Sequence, residues 1–142
     1  MPTFRTGSEE ETIALGEKLA RELPRQGTVL LIGNLGAGKT ALAKGIVKGL
    51  GAADPEQVSS PTFTLIHEYG HERKVYHVDL YRLDHAAEAS ALGLEELFDR
   101  DAVVLVEWGE RFPRIRPAER IEIRIQTGDE DQREITVTSV TT

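Results

Sequence analysis

Hydrophobic residues in this chain follow two kinds of spacing, and their alternation outlines a fold. "SEEETIALGEKLAREL" (8–23) opens with Ser8 in a helix-cap position and Glu11 three residues on, a pairing that satisfies the free amides of a first turn. Ile13, Gly16, Ala20 and Leu23 follow at helical spacing, and Pro24 closes the run. "TVLLIG" (28–33) and "AVVLVEW" (102–108) are unbroken apolar stretches of the kind buried on both faces of a sheet. Between them, Leu42, Ile46 and Leu50 form one face of a helix that stops at Gly51. "TFTLIHEYG" (62–70) and "KVYHVDLYRL" (74–83) read as strands of a hairpin joined through "HERK" (71–74), and "AAEASALGLEELF" (86–98) as one or two short helices. "RIEIRIQT" (120–127) and "REITVTSV" (133–140) alternate apolar with polar residues across "GDEDQ" (128–132), which predicts a terminal antiparallel hairpin with one wet face. Strands and helices in this order predict an α/β fold with a mixed sheet. The chain shows no repeat and no low-complexity linker, so residues 1–142 are expected to form one domain.

Composition narrows the function. The chain has no cysteine, which removes disulfides, thiolate metal sites and thiol catalysis, and fits a reducing cytoplasm. No apolar run is long enough to span a bilayer, and "MPTFRTGSEEE" lacks the basic and apolar regions of a signal peptide, so a cytoplasmic protein is expected. A net charge of −7 argues against tight nucleic-acid binding by this chain alone. The charge is uneven, however. From Pro24 to Ala53 there is no Asp or Glu, while Arg25, Lys39, Lys44 and Lys48 lie inside that stretch, as an anion site would require.

At the centre of the acid-free stretch stands "GNLGAGKT" (33–40), which matches the P-loop pattern G-x(4)-G-K-[ST]. Glycine is costly in folding entropy, so three of them between a strand and a helix imply that something must approach the backbone. Gly33, Gly36 and Gly38 let successive amides turn inward as an anion nest, and the following helix adds its positive end. Lys39 is then placed to reach β- and γ-phosphates, and the Thr40 hydroxyl to ligate Mg²⁺. Such a site needs an acid for the magnesium shell and often a group that orients water. Glu107 ends the more apolar strand and is assigned to the metal; Asp79, after "VYHV", is assigned to water activation or to outer-shell metal binding. Thr62 in the polar loop "SSPTFT" (59–64) is a candidate switch residue. Trp108, the sole tryptophan, directly follows Glu107. His67, His71, His77 and His85 show no zinc-enzyme spacing and are given no role, and "GDED" (128–131) reads as a solvated turn.

In sequence the chain resembles the TsaE family, formerly YjeE, the bacterial ATPase used in making threonylcarbamoyladenosine in tRNA. The resemblance covers nearly the whole chain. It rests on "GNLGAGKT", "SSPTFTLIHEY", "VYHVDLYRL", "LGLEELF" and "VLVEWGER", in that order. Asn34 departs from the acidic residue usual in the family, and the chain runs only a few residues past its last predicted strand. The resemblance implies a P-loop NTPase-like three-layer fold with a mixed, mainly parallel central sheet and the C-terminal antiparallel hairpin. It implies that ATP or ADP is held by the run Gly33, Asn34, Leu35, Gly36, Ala37, Gly38, Lys39, Thr40 and Ala41, and Mg²⁺ by Thr40 and Glu107. Thr62 and Asp79 would be required for hydrolysis, with Lys39 and Glu107 also catalytic. Trp108 would lie near the nucleotide, and Glu9 in the Ser8–Glu11 segment, with Arg133, would border the base. The implied partners are TsaB and TsaD, which would meet the tRNA on this chain's behalf.

Two rival functions start from the same loop. A small-molecule kinase needs an acceptor pocket and a lid with arginines, for which little chain remains. A nucleotide-dependent switch of the GTPase kind would carry a guanine-reading N/T-K-x-D segment, and none occurs. No arginine finger is fixed by the sequence; Arg82 is a candidate, and a partner could equally supply one.

Overall fold

The computed structural model describes residues 2–61 and 64–141. In chain order these form β1 (Thr3–Thr6), α1 (Glu9–Ala20), β2 (Gly27–Ile32), α2 (Lys39–Gly49), β3 (Ile66–Tyr69) and β4 (Lys74–Asp79). They continue through α3 (Ala86–Ala91), α4 (Leu94–Phe98), β5 (Ala102–Glu107), β6 (Glu119–Thr127) and β7 (Arg133–Thr141). All strands join one seven-stranded sheet in the order β1-β7-β6-β2-β5-β4-β3. Its centre, β6-β2-β5-β4, is parallel; β3 at one edge and β7 beside β6 run against it, and β1, antiparallel to β7, closes the other edge in the central direction. This is the α/β fold with a mixed sheet and a terminal hairpin that the pattern predicts, in the mainly parallel arrangement that the resemblance implies.

The central strands are apolar throughout because both their faces are covered. Val29 and Leu31 of β2 join Val103 and Leu105 of β5 in a core beneath α1 and α2, with Leu15, Leu19, Leu42 and Ile46. Leu30, Ile32, Val104 and Val106 face the opposite way, into a second core with Leu94, Leu97, Phe112 and Ile115. The period of two therefore decides which side of the sheet each residue serves. On β4 it turns Val75, His77 and Asp79 toward the α1–α2 side.

α1 and α2 pack closely at Gly45. A Cβ there would fall 1.9 Å from the Ile13 carbonyl oxygen. Among the described residues no helix is long and apolar enough to cross a membrane.

Several boundaries differ from the sequence reading, each for a physical reason. β1 is an added edge strand, held by pairing with β7 (Phe4 opposite Ile135) and too short to show a period of its own. α1 ends at Ala20 rather than at Pro24, and its buried face is Thr12, Leu15, Gly16, Leu19 and Ala20. Thr12 is tolerated there because its hydroxyl bonds Thr6 Oγ1 at 2.8 Å and donates to the Ser8 carbonyl at 3.1 Å. β4 stops at Asp79 instead of continuing through "LYRL", since the Asp79 side chain accepts the Tyr81 N–H at 2.9 Å and turns the chain. β5 stops one residue before Trp108, which adopts a left-handed φ of 67°. The first residues of the strand expected over 62–70 lie partly outside the described residues, and β3 begins at Ile66.

Candidate active site

The two helix starts near the C-terminal edge of the sheet are built differently. α1 is capped by its own side chains: Ser8 Oγ accepts the Glu11 N–H at 3.1 Å, Glu11 accepts the Gly7 N–H at 2.6 Å, and Glu9, Glu10 and Glu11 fill the first turn. α2 has no side-chain cap and no acid in its first turn. Its free amides and helix dipole are left for an external anion. Gly38 precedes it at φ 107° and Gly36 at φ 79°, left-handed conformations that strain any residue with a Cβ. These values explain why the loop is glycine-rich.

Around this helix start lies a cavity of about 520 Å³. Leu35, Gly36, Gly38, Lys39, Thr40 and Ala41 line one side; Asp79, Glu107 and Trp108 line another; Glu9 and Arg133 close the rim. Gly33, Asn34 and Ala37 do not line it but shape the loop. The Gly33 carbonyl holds Lys39, the Asn34 carbonyl accepts the Ala37 N–H at 3.0 Å, and the Ala37 carbonyl receives Arg133. Thr62 lies outside the described residues. Arg82 is exposed and is not among the cavity-lining residues.

The acids arrive by register. Asp79 of β4 is the direct neighbour of Glu107 on β5, both at strand C-termini and both on the α1–α2 side. Glu107 is buried, and its Oε2 accepts the Thr40 hydroxyl at 3.5 Å and His77 Nε2 at 2.5 Å. Asp79 is also buried, with one oxygen on the Tyr81 amide and the other accepting the Ser60 hydroxyl at 2.9 Å. Thr40 and Glu107 together offer hard oxygen donors beside a phosphate-type cradle. That donor set suits Mg²⁺, which takes few protein ligands and completes its shell with phosphate and water.

Lys39 is only 4% exposed. Its Nζ donates to the Gly33 carbonyl at 2.8 Å and stands 3.4 Å from the centre of the Trp108 ring. Burial pushes its ammonium below the ordinary lysine value, against the opposing pull of Glu107, Glu110 and Asp79. Burial likewise holds the Glu110 carboxyl above the usual range, and its Oε1 is buried without a hydrogen-bond partner among the described residues. Trp108 is flanked by Tyr81, with ring centres 5.1 Å apart.

Arg133 is more than a rim residue. Its Nε donates to the Ala37 carbonyl at 2.9 Å and its Nη1 to the Gln132 carbonyl at 2.9 Å, so the guanidinium ties the β6–β7 turn to the loop. The "GDED" turn is exposed, as its composition predicts, and its Asp131 also lines the cavity. The basic stretch divides. Lys39 and Lys44 line the cavity, whereas Arg25 pairs with Asp101 and Lys48 with Glu17, away from it. His77 was given no role from sequence, yet it shares a face with Asp79 two residues on. That period-two relation in "HVD" was the available signal.

This geometry agrees with what the chain is similar to. The family model described as Threonylcarbamoyl adenosine biosynthesis protein TsaE matches residues 6–135. The chain belongs to the TsaE family. Relatives named tRNA threonylcarbamoyladenosine biosynthesis protein TsaE include one from Bacillus subtilis, 43% identical over 96% of this chain and 85% of the relative. Another, from Nostoc, is 41% identical over 92% and 81%. A third, from Treponema pallidum, is 36% identical over 92% and 95%. Among solved structures, Bacillus subtilis YdiB superposes with a TM-score of 0.79 at 36% identity, covering 98% of this chain and 85% of that one. The TsaE-family match begins at Thr6 and ends at Ile135, so it spans the loop, both acids and Arg133.

Proposed function

We propose that this chain is the Mg²⁺-dependent ATPase subunit that supports threonylcarbamoyladenosine modification of tRNA, acting on a TsaB–TsaD pair and meeting tRNA only through it. The observation that carries the reading is the convergence on one cavity of an uncapped helix start, Lys39, Thr40 and two neighbouring strand-end carboxylates, Asp79 and Glu107. Membership of a family named for this modification supplies the pathway.

The chain's residues divide the chemistry. The Gly36–Thr40 amides and the start of α2 cradle the phosphates. Lys39 leaves the Gly33 carbonyl and the Trp108 ring to neutralise charge building on the γ-phosphoryl group. Thr40 and Glu107 would hold Mg²⁺, which would offset negative charge on the phosphates. Asp79, kept in place by Ser60 and the Tyr81 amide, aligns the attacking water. Arg133 keeps the loop against the hairpin, and Glu9 borders the nucleoside end of the cavity. Among the described residues the arginine that lines the cavity is Arg133, which is held by the Ala37 carbonyl, so turnover by the isolated chain is expected to be slow and to rise with the partners.

The test is ATP hydrolysis by the chain alone, then with the TsaB–TsaD pair and tRNA, scoring modified adenosine beside phosphate. Stimulation by the pair, with repeated modification turnovers only when Lys39 is intact, is expected. No stimulation and no effect on modification would overturn the tRNA reading, and phosphate transfer to a small hydroxyl compound would replace it with a kinase.

A further inference from the structure

His77 is 0% exposed, among the most deeply buried polar residues of the chain. On the same side of β4 stand Val75 and Asp79, and its register partner on β5 is Leu105. An apolar side chain would suit such surroundings. Instead the imidazole makes one hydrogen bond among the described residues, from Nε2 to Glu107 Oε2 at 2.5 Å. A carboxylate only accepts, so Nε2 carries the proton. Nδ1 is buried with no hydrogen-bond partner among the described residues. Leaving a buried polar atom unpaired costs stability, so packing alone does not account for a histidine here.

The hydrogen bond has a direction. The His77 N–H and the Thr40 hydroxyl reach the same oxygen, Oε2, and Oε1 receives no hydrogen bond from the described residues. We propose that His77 is a positioning residue for the Glu107 carboxylate, fixing its rotation through Oε2 so that it is presented to a Mg²⁺ ion beside Thr40. The inference rests on the nucleotide reading above. Carboxylates that bind metals are commonly oriented by such outer partners, whose loss weakens metal affinity. Among the described residues His77 hydrogen-bonds Glu107 and no phosphate-binding group, so its effect should appear only in the metal-dependent part of nucleotide binding.

The experiment uses the full chain and reads binding, not turnover. ADP affinity is measured calorimetrically in EDTA and across a Mg²⁺ titration, for the parent, His77→Leu and His77→Gln. In His77→Leu the Mg²⁺ concentration giving half the gain in ADP affinity should rise about tenfold or more. Its affinity for ADP in EDTA should match the parent's. His77→Gln, whose amide can donate to the same oxygen, should return the Mg²⁺ midpoint close to the parent value. An unmoved midpoint in His77→Leu, equal losses with and without Mg²⁺, or a Gln variant no better than Leu would each overturn the proposal. If circular dichroism shows His77→Leu unfolded, His77→Asn takes its place, since its shorter amide stops short of Glu107. A parent that binds no ADP would instead sink the nucleotide reading on which the proposal rests, and one that binds it with no Mg²⁺ dependence would overturn the metal site and the proposal with it.

Discussion

Gly45→Ala sets two effects in opposition, and their sign separates sequence from structure. Inside a helix, alanine is favoured over glycine by about 1 kcal/mol, so propensity alone predicts stabilisation. In this fold the new Cβ would stand 1.9 Å from the Ile13 carbonyl oxygen, 2.8 Å from its carbon and 2.9 Å from the Glu17 nitrogen. All three are backbone atoms of α1, so no side-chain rotation relieves the clash. Restoring ordinary contact distances requires α1 and α2 to part by about 1 Å or more. Parting loosens the layer where Leu15 and Leu19 meet Leu42 and Ile46. Overpacking of a dense core costs about 1–3 kcal/mol and sometimes more, and a clash of this depth with backbone atoms falls at the upper end, above the propensity gain. A net loss of about 2 kcal/mol lowers Tm by roughly 5–10 °C in a chain of this size. Thermal unfolding followed by far-UV circular dichroism measures it, with Lys48→Ala, which loses only an exposed ion pair to Glu17, as the control. A Tm equal to or above the parent's would refute the reasoning, because the helix spacing would then not depend on Gly45.

Lys39→Met should abolish nucleotide binding while leaving Tm at pH 7 unchanged or higher. The folded-state pKa of Lys39 lies below its unfolded value, so its buried charge opposes folding at neutral pH, and a clear fall in Tm would count against this. Glu110→Gln should raise Tm at pH 7 but not near pH 4. The Glu110 pKa is raised on folding, so its penalty is absent below the unfolded value, near 4.3, and grows as pH rises through the folded one; a gain independent of pH would disprove it. Asp79→Ala should lower single-turnover ATP hydrolysis by about a hundredfold with nucleotide affinity nearly kept, whereas Glu107→Ala should weaken Mg-nucleotide binding itself; equal turnover in the Asp79 variant and the parent would remove Asp79 from the site.

Much of this protein is determined by local sequence. The glycines at 36 and 38 stand where the backbone turns left-handed, and Lys39 and Thr40 follow at the start of a helix whose first turn carries no acid. These are effects over a few residues, and spacing reports them directly. The buried strands also declared themselves, because covering both faces of β2 and β5 leaves no place for polar residues except at their ends. What the sequence left open depends on partners distant along the chain. The pairing of Asp79 with Glu107 comes from strand register, and the bond from Arg133 to the Ala37 carbonyl joins residues 96 positions apart. Arg25 and Lys48 looked like members of the anion site, but strand and helix geometry turn them toward Asp101 and Glu17. His77 shows the limit most clearly. Its spacing from Asp79 gives the shared face, and only the β4–β5 register brings it to Glu107. Local chemistry therefore chose the loop, and long-range packing, which sets which faces and registers meet, assembled the site around it.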